Sequence, residues 1–147
     1  MENTQPSPVI AAWVTLLIAH AHTVRKVDRD LDQRLGISIS SFDALQQLSR
    51  APGERLRMQE LAAAVLLSKS GLTRLVDRLE LAGLVIREGV TGDRRSLFVS
   101  LTEAGRALVM RSRSVVSESV TRHFGVHYTE QELAAMRALL ERLVSSE

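Results

Sequence analysis

Cysteine is absent from the 147-residue chain. That absence excludes a disulfide framework, a thiol nucleophile, Cys-ligated zinc and a cysteine redox switch. Aromatic residues are scarce, at 3% against 45% hydrophobic residues in all. A core must therefore come from Leu, Val, Ile and Ala, which suits helices packed through aliphatic stripes. Lysine is limited to Lys26 and Lys69, so arginine carries nearly all the positive charge. A GC-rich genome would give the same ratio, although guanidinium groups also suit bidentate contact with phosphate and guanine. Nor does one sign of charge dominate. The 19 basic and 17 acidic residues leave a formal net charge of +2, so only their placement can point to a partner. The apolar stretch from Val9 to Ala21 is too short for a bilayer span and follows no basic segment. The expectation is one soluble, cytoplasmic domain over residues 1-147, with no membrane partner.

Helical periodicity organises most of what is present. Met1 to Pro8 is polar, with two prolines, and reads as a frayed arm. Trp13, Leu16, Leu17, His20, Val24, Val27 and Leu31 mark a long helix over 9-35, stopped by Gly36. Its first half is apolar around most of its circumference and must be covered by another helix pair. Ser40, with Asp43 three residues on, is the expected N-cap of a second helix that ends at Ala51-Pro52-Gly53. Arg55 to Arg57 can form only a very short strand. Two short helices then follow, over 59-65 and from a cap at Ser68 to near Gly83. Leu72, Leu75, Val76 and Leu79 make the buried stripe of the second. The period then changes from helical to two over 84-88 and 96-101, so these become strands around a glycine-bearing loop at 89-95. Thr102 caps a further long helix to about His123, and Thr129 with Glu132 opens a last one.

The predicted fold is mostly α with a small β-hairpin wing: a winged helix-turn-helix over 40-101 between long terminal helices. The helix from Ser68 turns Ser70, Thr73, Arg74 and Asp77 outward, with Arg78 at the edge. A merely solvated face would carry more Glu and Lys. Free backbone N–H groups at its first turn, beside Ser68 and Lys69, suit a phosphate, while Ser70, Thr73 and Arg74 suit base edges. Arg94 and Arg95 are adjacent cations at the hairpin tip, and Asp93 can pair with one of them. A narrow minor groove supplies the anionic potential that such a pair needs. Between Arg55 and Arg95 eight bases meet five acids, so the positive excess lies in this lobe.

These stretches resemble the MarR family of bacterial regulators. The resemblance runs through Leu56-Arg57-Met58-Gln59-Glu60-Leu61-Ala62 and Leu67-Ser68-Lys69-Ser70-Gly71-Leu72-Thr73-Arg74-Leu75-Val76-Asp77-Arg78-Leu79-Glu80. It continues in Gly92-Asp93-Arg94-Arg95-Ser96 and in Leu101-Thr102-Glu103-Ala104-Gly105. The Asp-Arg-Arg wing followed by Leu-Thr-x-x-Gly is its most specific part. The resemblance implies a homodimer held by helices at 9-35 and 125-147, with 102-124 as the linking helix. It places the helix from Ser68 in the major groove of double-stranded DNA. Arg95 or its neighbour Arg94 would enter the minor groove, braced by Asp93. It also implies repression released by a small molecule, often an aromatic anion, bound between the dimer helices and the DNA-binding lobe, at residues the sequence does not give. The peroxide-sensing branch, which depends on cysteine, is excluded.

Two other readings compete. A winged helix can serve as a protein-interaction module without DNA binding. The four histidines raise a metal-responsive regulator, but His20 and His22 point about 200° apart on a helix. His123 and His127 have helical spacing, yet Gly125 and the cap at Thr129 end the helix between them. No metal site or cofactor is expected. Trp13 reads as core or dimer packing. No nucleophile elbow or phosphate loop supports an enzyme.

Overall fold

In a computed structural model of the protein, residues 7–65, 67–90 and 93–145 are described, with only the backbone for Lys69, Val90 and 93–96. The elements run α1 (Pro8–Leu35), α2 (Ile39–Arg50), β1 (Arg55–Arg57), α3 (Met58–Ala64), α4 (Lys69–Leu81), β2 (Val85–Val90), β3 (Asp93–Leu101), α5 (Glu103–His123) and α6 (Glu130–Val144). The mostly α architecture with a β wing is as expected. Most of the arm expected over 1-8 lies outside the described residues, and Pro8 already begins α1, where its missing N–H costs nothing.

Local capping rules set most boundaries. Gly36 closes α1 in the left-handed region, at φ 67°, and its N–H returns to the Asp32 carbonyl. Ser68, Thr102 and Thr129 each accept a backbone N–H from the first turn of the helix that follows. The start of α2 departs from expectation. Ser38, not Ser40, is the cap and accepts from the Ser41 N–H at 3.1 Å. The helix begins earlier because Asp28, on α1, accepts the otherwise orphaned Ile39 N–H at 2.7 Å. Asp43 takes a bond from the Gln47 amide instead of closing a capping box.

The lobe's core joins three layers through one cluster. Leu45 and Leu48 of α2, Leu61 of α3, the Leu72, Leu75, Val76 and Leu79 stripe of α4, and Val85, Val99 and Leu101 of the sheet are all buried. The sheet order is β1-β3-β2, antiparallel throughout. Its hairpin is longer than expected. Asp93 to Arg95, placed in the loop by the sequence, belong to the backbone of β3, and β2 extends through Gly89 to Val90 with an irregular register there. Glycine tolerates such an irregularity without ending the strand.

α5 leaves the lobe at a tight junction and carries Leu108 and Val109 into the same core. Farther along, Val115 meets Val27 and Leu31 of α1 in a second cluster. There the Asp30 carboxylate accepts from the Ser119 hydroxyl at 2.6 Å, with His123 Nε2 at 3.1 Å. The Ser119 bond leads in holding the Asp30 carboxyl below the usual carboxylate range; burial opposes it, and His123 and Arg122 assist.

The terminal helices are left bare. Val9, Ile10, Trp13, Leu17 and Ile18 on α1, and Leu139, Leu143 and Val144 on α6, are exposed. Trp13, 55% exposed, is therefore no part of the protomer's own core. α1, 28 residues long, contains a stretch long and apolar enough, by length and composition alone, to cross a membrane, longer than the 13 residues from Val9 to Ala21. Its second half is charged and packed against α5.

Candidate nucleic-acid interface

The face that α4 turns away from the core carries the residues expected there. Ser68, Ser70, Thr73, Arg74, Asp77 and Arg78 are all exposed, while Leu72, Leu75, Val76 and Leu79 are buried beneath them. The first turn is built around Ser68, whose hydroxyl accepts from the Gly71 N–H at 3.1 Å. A Cβ on Gly71 would stand 3.1 Å from that oxygen, so glycine lets the hydroxyl close over the helix end. Among the described residues, neither Arg74 nor Arg78 forms an ion pair with a carboxylate. The side chains of Lys69, Asp93, Arg94 and Arg95 lie outside the described residues, so the wing-tip contacts expected from sequence are not located.

One functional side chain escaped the sequence reading. Arg87, on β2, reaches back to α4 and holds both of its exposed acids. Its Nη2 donates to Asp77 Oδ1 at 2.6 Å and its Nη1 to Glu80 Oε2 at 2.7 Å. The Arg87 N–H donates to Glu80 as well, at 3.1 Å. The Arg87 side chain is only 19% exposed. Burial works to lower its pKa, but the bonds from Asp77 and Glu80 outweigh it and raise the group further. The clamp has two effects. It ties wing to helix, and it cancels one of two negative charges that α4 would otherwise present. A signal for it exists in the sequence. Strand alternation puts Arg87 on the same face as buried Val85, and an inward cation needs acids, which Asp77 and Glu80 supply at helical spacing.

Beneath the clamp lies a cleft of about 480 Å³ lined by Met58, Gln59, Ala62, Leu72, Thr73, Asp77, Arg87 and Leu97. A second, of about 420 Å³, lies between α1 and the C-terminal segment, lined by residues such as Leu16, His20, Phe124, Tyr128 and Met136. The histidines do not assemble. His123 contacts Asp30, and α5 ends before the 3-10 turn that carries His127. Among the described residues no three His, Asp or Glu side chains group around a metal position.

A MarR family profile matches residues 35–96, from the end of α1 into β3. Over 123 residues the chain is 35% identical to the HTH-type transcriptional regulator PecS of Dickeya dadantii, spanning 80% of this chain and 72% of that one. The chain belongs to the MarR family. As in its relatives, its role is transcriptional regulation and not catalysis. Among solved structures, AbsC, a MarR family transcriptional regulator from Streptomyces coelicolor, superposes with a TM-score of 0.82 at 31% identity, over 97% of this chain and 96% of that one. Sco3205, a MarR family regulator from the same organism solved in complex with DNA, gives 0.81 at 26% identity, over 91% and 84%. The winged-helix fold of this MarR-family chain is therefore shared from α1 to α6.

Proposed function

We propose that this MarR-family chain is a sequence-specific, double-stranded DNA-binding repressor that acts as a homodimer and responds to a small molecule. The observation that carries this reading is the outward face of α4. Ser70, Thr73, Arg74 and Arg78 stand exposed on it while Arg87 engages its two acids. Such a face offers donors to a major groove while its two carboxylates are held by Arg87. Ser68 and Lys69 at the first turn would meet phosphate. Arg94 and Arg95, with Asp93 bracing them, would probe the adjacent minor groove. Sco3205, similar over most of its length, was solved with DNA bound.

The dimer reading rests on the bare ends of the protomer. An apolar α1 half and an α6 with no buried residue need a cover, and a second copy provides the same surface in return. Residues 9-35 and 125-147 are then the dimerisation helices, 102-124 the link, and 40-101 the reading lobe. A two-fold dimer reads a pseudo-palindrome whose half-sites lie about 10 bp apart. An effector in the cleft beneath the wing would press on α4 and Arg87 together, releasing the duplex.

The test is an electrophoretic shift with DNA from upstream of the protein's own coding region, paired with sedimentation analysis of the free protein. A specific shift by a species of twice the protomer mass is expected. A monomer, or a protein that shifts no duplex in preference to competitor DNA, defeats the proposal.

A further inference from the structure

The outer face of the sheet carries two more arginines that the reading head does not use. Arg55 and Arg57 lie on β1, two residues apart, so both point to the same side. Their register partners on β3 are Ser100 and Phe98. Both guanidiniums rest over the Phe98 ring, with Cζ 4.8 Å from its centre for Arg55 and 5.6 Å for Arg57. A ring orients a cation without neutralising it, whereas a carboxylate does both.

Among the described residues no acid forms an ion pair with either guanidinium. Glu54 pairs with Arg106 on α5 at 2.6 Å. Glu60 accepts the Arg57 backbone N–H at 2.8 Å, and Glu88, across β3, accepts the Ser100 hydroxyl at 3.0 Å. Two exposed cations are thus held side by side on one ring, and among the described residues neither forms an ion pair. An anion from outside would relieve whatever repulsion Glu60 and Glu88 leave between the two guanidiniums. β3 connects this pair directly to the wing, since the strand that starts at Asp93 runs through Phe98.

We infer that Arg55 and Arg57, racked on Phe98, form a second phosphate-binding station that engages duplex DNA outside the half-sites. The inference rests on the DNA-binding reading above. Continuity with the wing along β3, and the polyanionic character of the duplex, favour flanking DNA over an acidic protein surface.

The test uses a site that the full-length protein selects from a random DNA pool. Binding is measured against salt on duplexes of about 20 and about 40 bp centred on that site, the shorter just covering two half-sites. Four guanidiniums per dimer should make the salt slope of R55Q/R57Q flatter than wild type by about 3 to 4 on the long duplex. On the short duplex the two proteins should agree, and R55K/R57K should keep the wild-type slope. If R55Q/R57Q melts early, the single variants R55Q and R57Q are read instead, each expected to show about half the change. Equal slopes on the long duplex, with binding intact, overturn this inference alone. An equal deficit on both duplexes overturns the flanking position. Failure of wild type to bind any duplex removes the DNA-binding reading and this one with it.

Discussion

Replacing Arg87 with Met separates the clamp's mechanical effect from its electrostatic one. Met keeps most of the buried stem, so little packing is lost. What disappears is a guanidinium bonded to Asp77 at 2.6 Å and to Glu80 at 2.7 Å. Those acids are 57% and 40% exposed, so water screens the pairs, and the loss of stability should be about 1 kcal/mol. Binding should suffer more. Each protomer loses one positive charge close to the groove. At about 10 Å in water one charge–phosphate pair contributes about 0.4 kcal/mol, and two or three phosphates lie within a Debye length. Before screening that comes to about 1 kcal/mol per protomer and about 2 kcal/mol per dimer, or roughly a 30-fold loss of affinity at low salt, shrinking to about 4-fold near 0.1 M. Anisotropy titrations on a selected duplex would measure the loss, and urea melts would measure stability. Adding D77N and E80Q to R87M should restore affinity to wild type or better, because the uncancelled acids are then gone. The reasoning fails if R87M binds as wild type does at low salt, or if removing both acids restores nothing.

Other substitutions probe the frame and the reading face. A Cβ on Gly105 would run into the Leu84 carbonyl, which cannot withdraw because it accepts the Thr102 N–H at 3.1 Å. G105A should gain about 1 kcal/mol in helix propensity yet lose more to overpacking, lowering the melting temperature by several degrees on calorimetry. Arg74→Gln should relax preference at one base position, by about 1–3 kcal/mol, in a competition assay against single-base variants of the site. R94A/R95A should weaken all duplexes and flatten the salt dependence. Asp30, whose carboxyl is held low, contributes stability that is present above the unfolded carboxylate value and is lost as pH falls through the folded one. D30N should therefore be less stable than wild type at pH 7, with the gap closing in acid melts below about pH 4.

What the sequence makes legible here is what local rules decide. Ser68, Thr102 and Thr129 sit at caps because each precedes an apolar stripe by a fixed number of residues, and the α4 stripe follows from the helical period alone. Local rules favour Ser40 over Ser38 as a cap because the deciding partner, Asp28, lies on another helix. Arg87 does not stand out in the sequence from the other bases of the lobe, because its bonds span 7 and 10 residues and cross from strand to helix. Gly89 carries a turn signal in the sequence, whereas cross-strand pairing with Leu97 keeps it in β2. In each case a contact from another element overrides a local preference.

The junction at Gly105 has a consequence beyond packing. Thr102 donates its hydroxyl to the Gly83 carbonyl and its N–H to Leu84, so the start of α5 is fastened to the turn that ends the reading helix. The other end of α5 is fastened to α1 through Ser119 and Asp30. A helix of 21 residues is a rod of about 32 Å, so a tilt of about 5° at the Asp30 end swings the Thr102 end by about 3 Å. One base pair rises 3.4 Å along the duplex. A small rotation about Asp30 would thus carry α4, the proposed reading helix, across nearly a whole rung of the duplex.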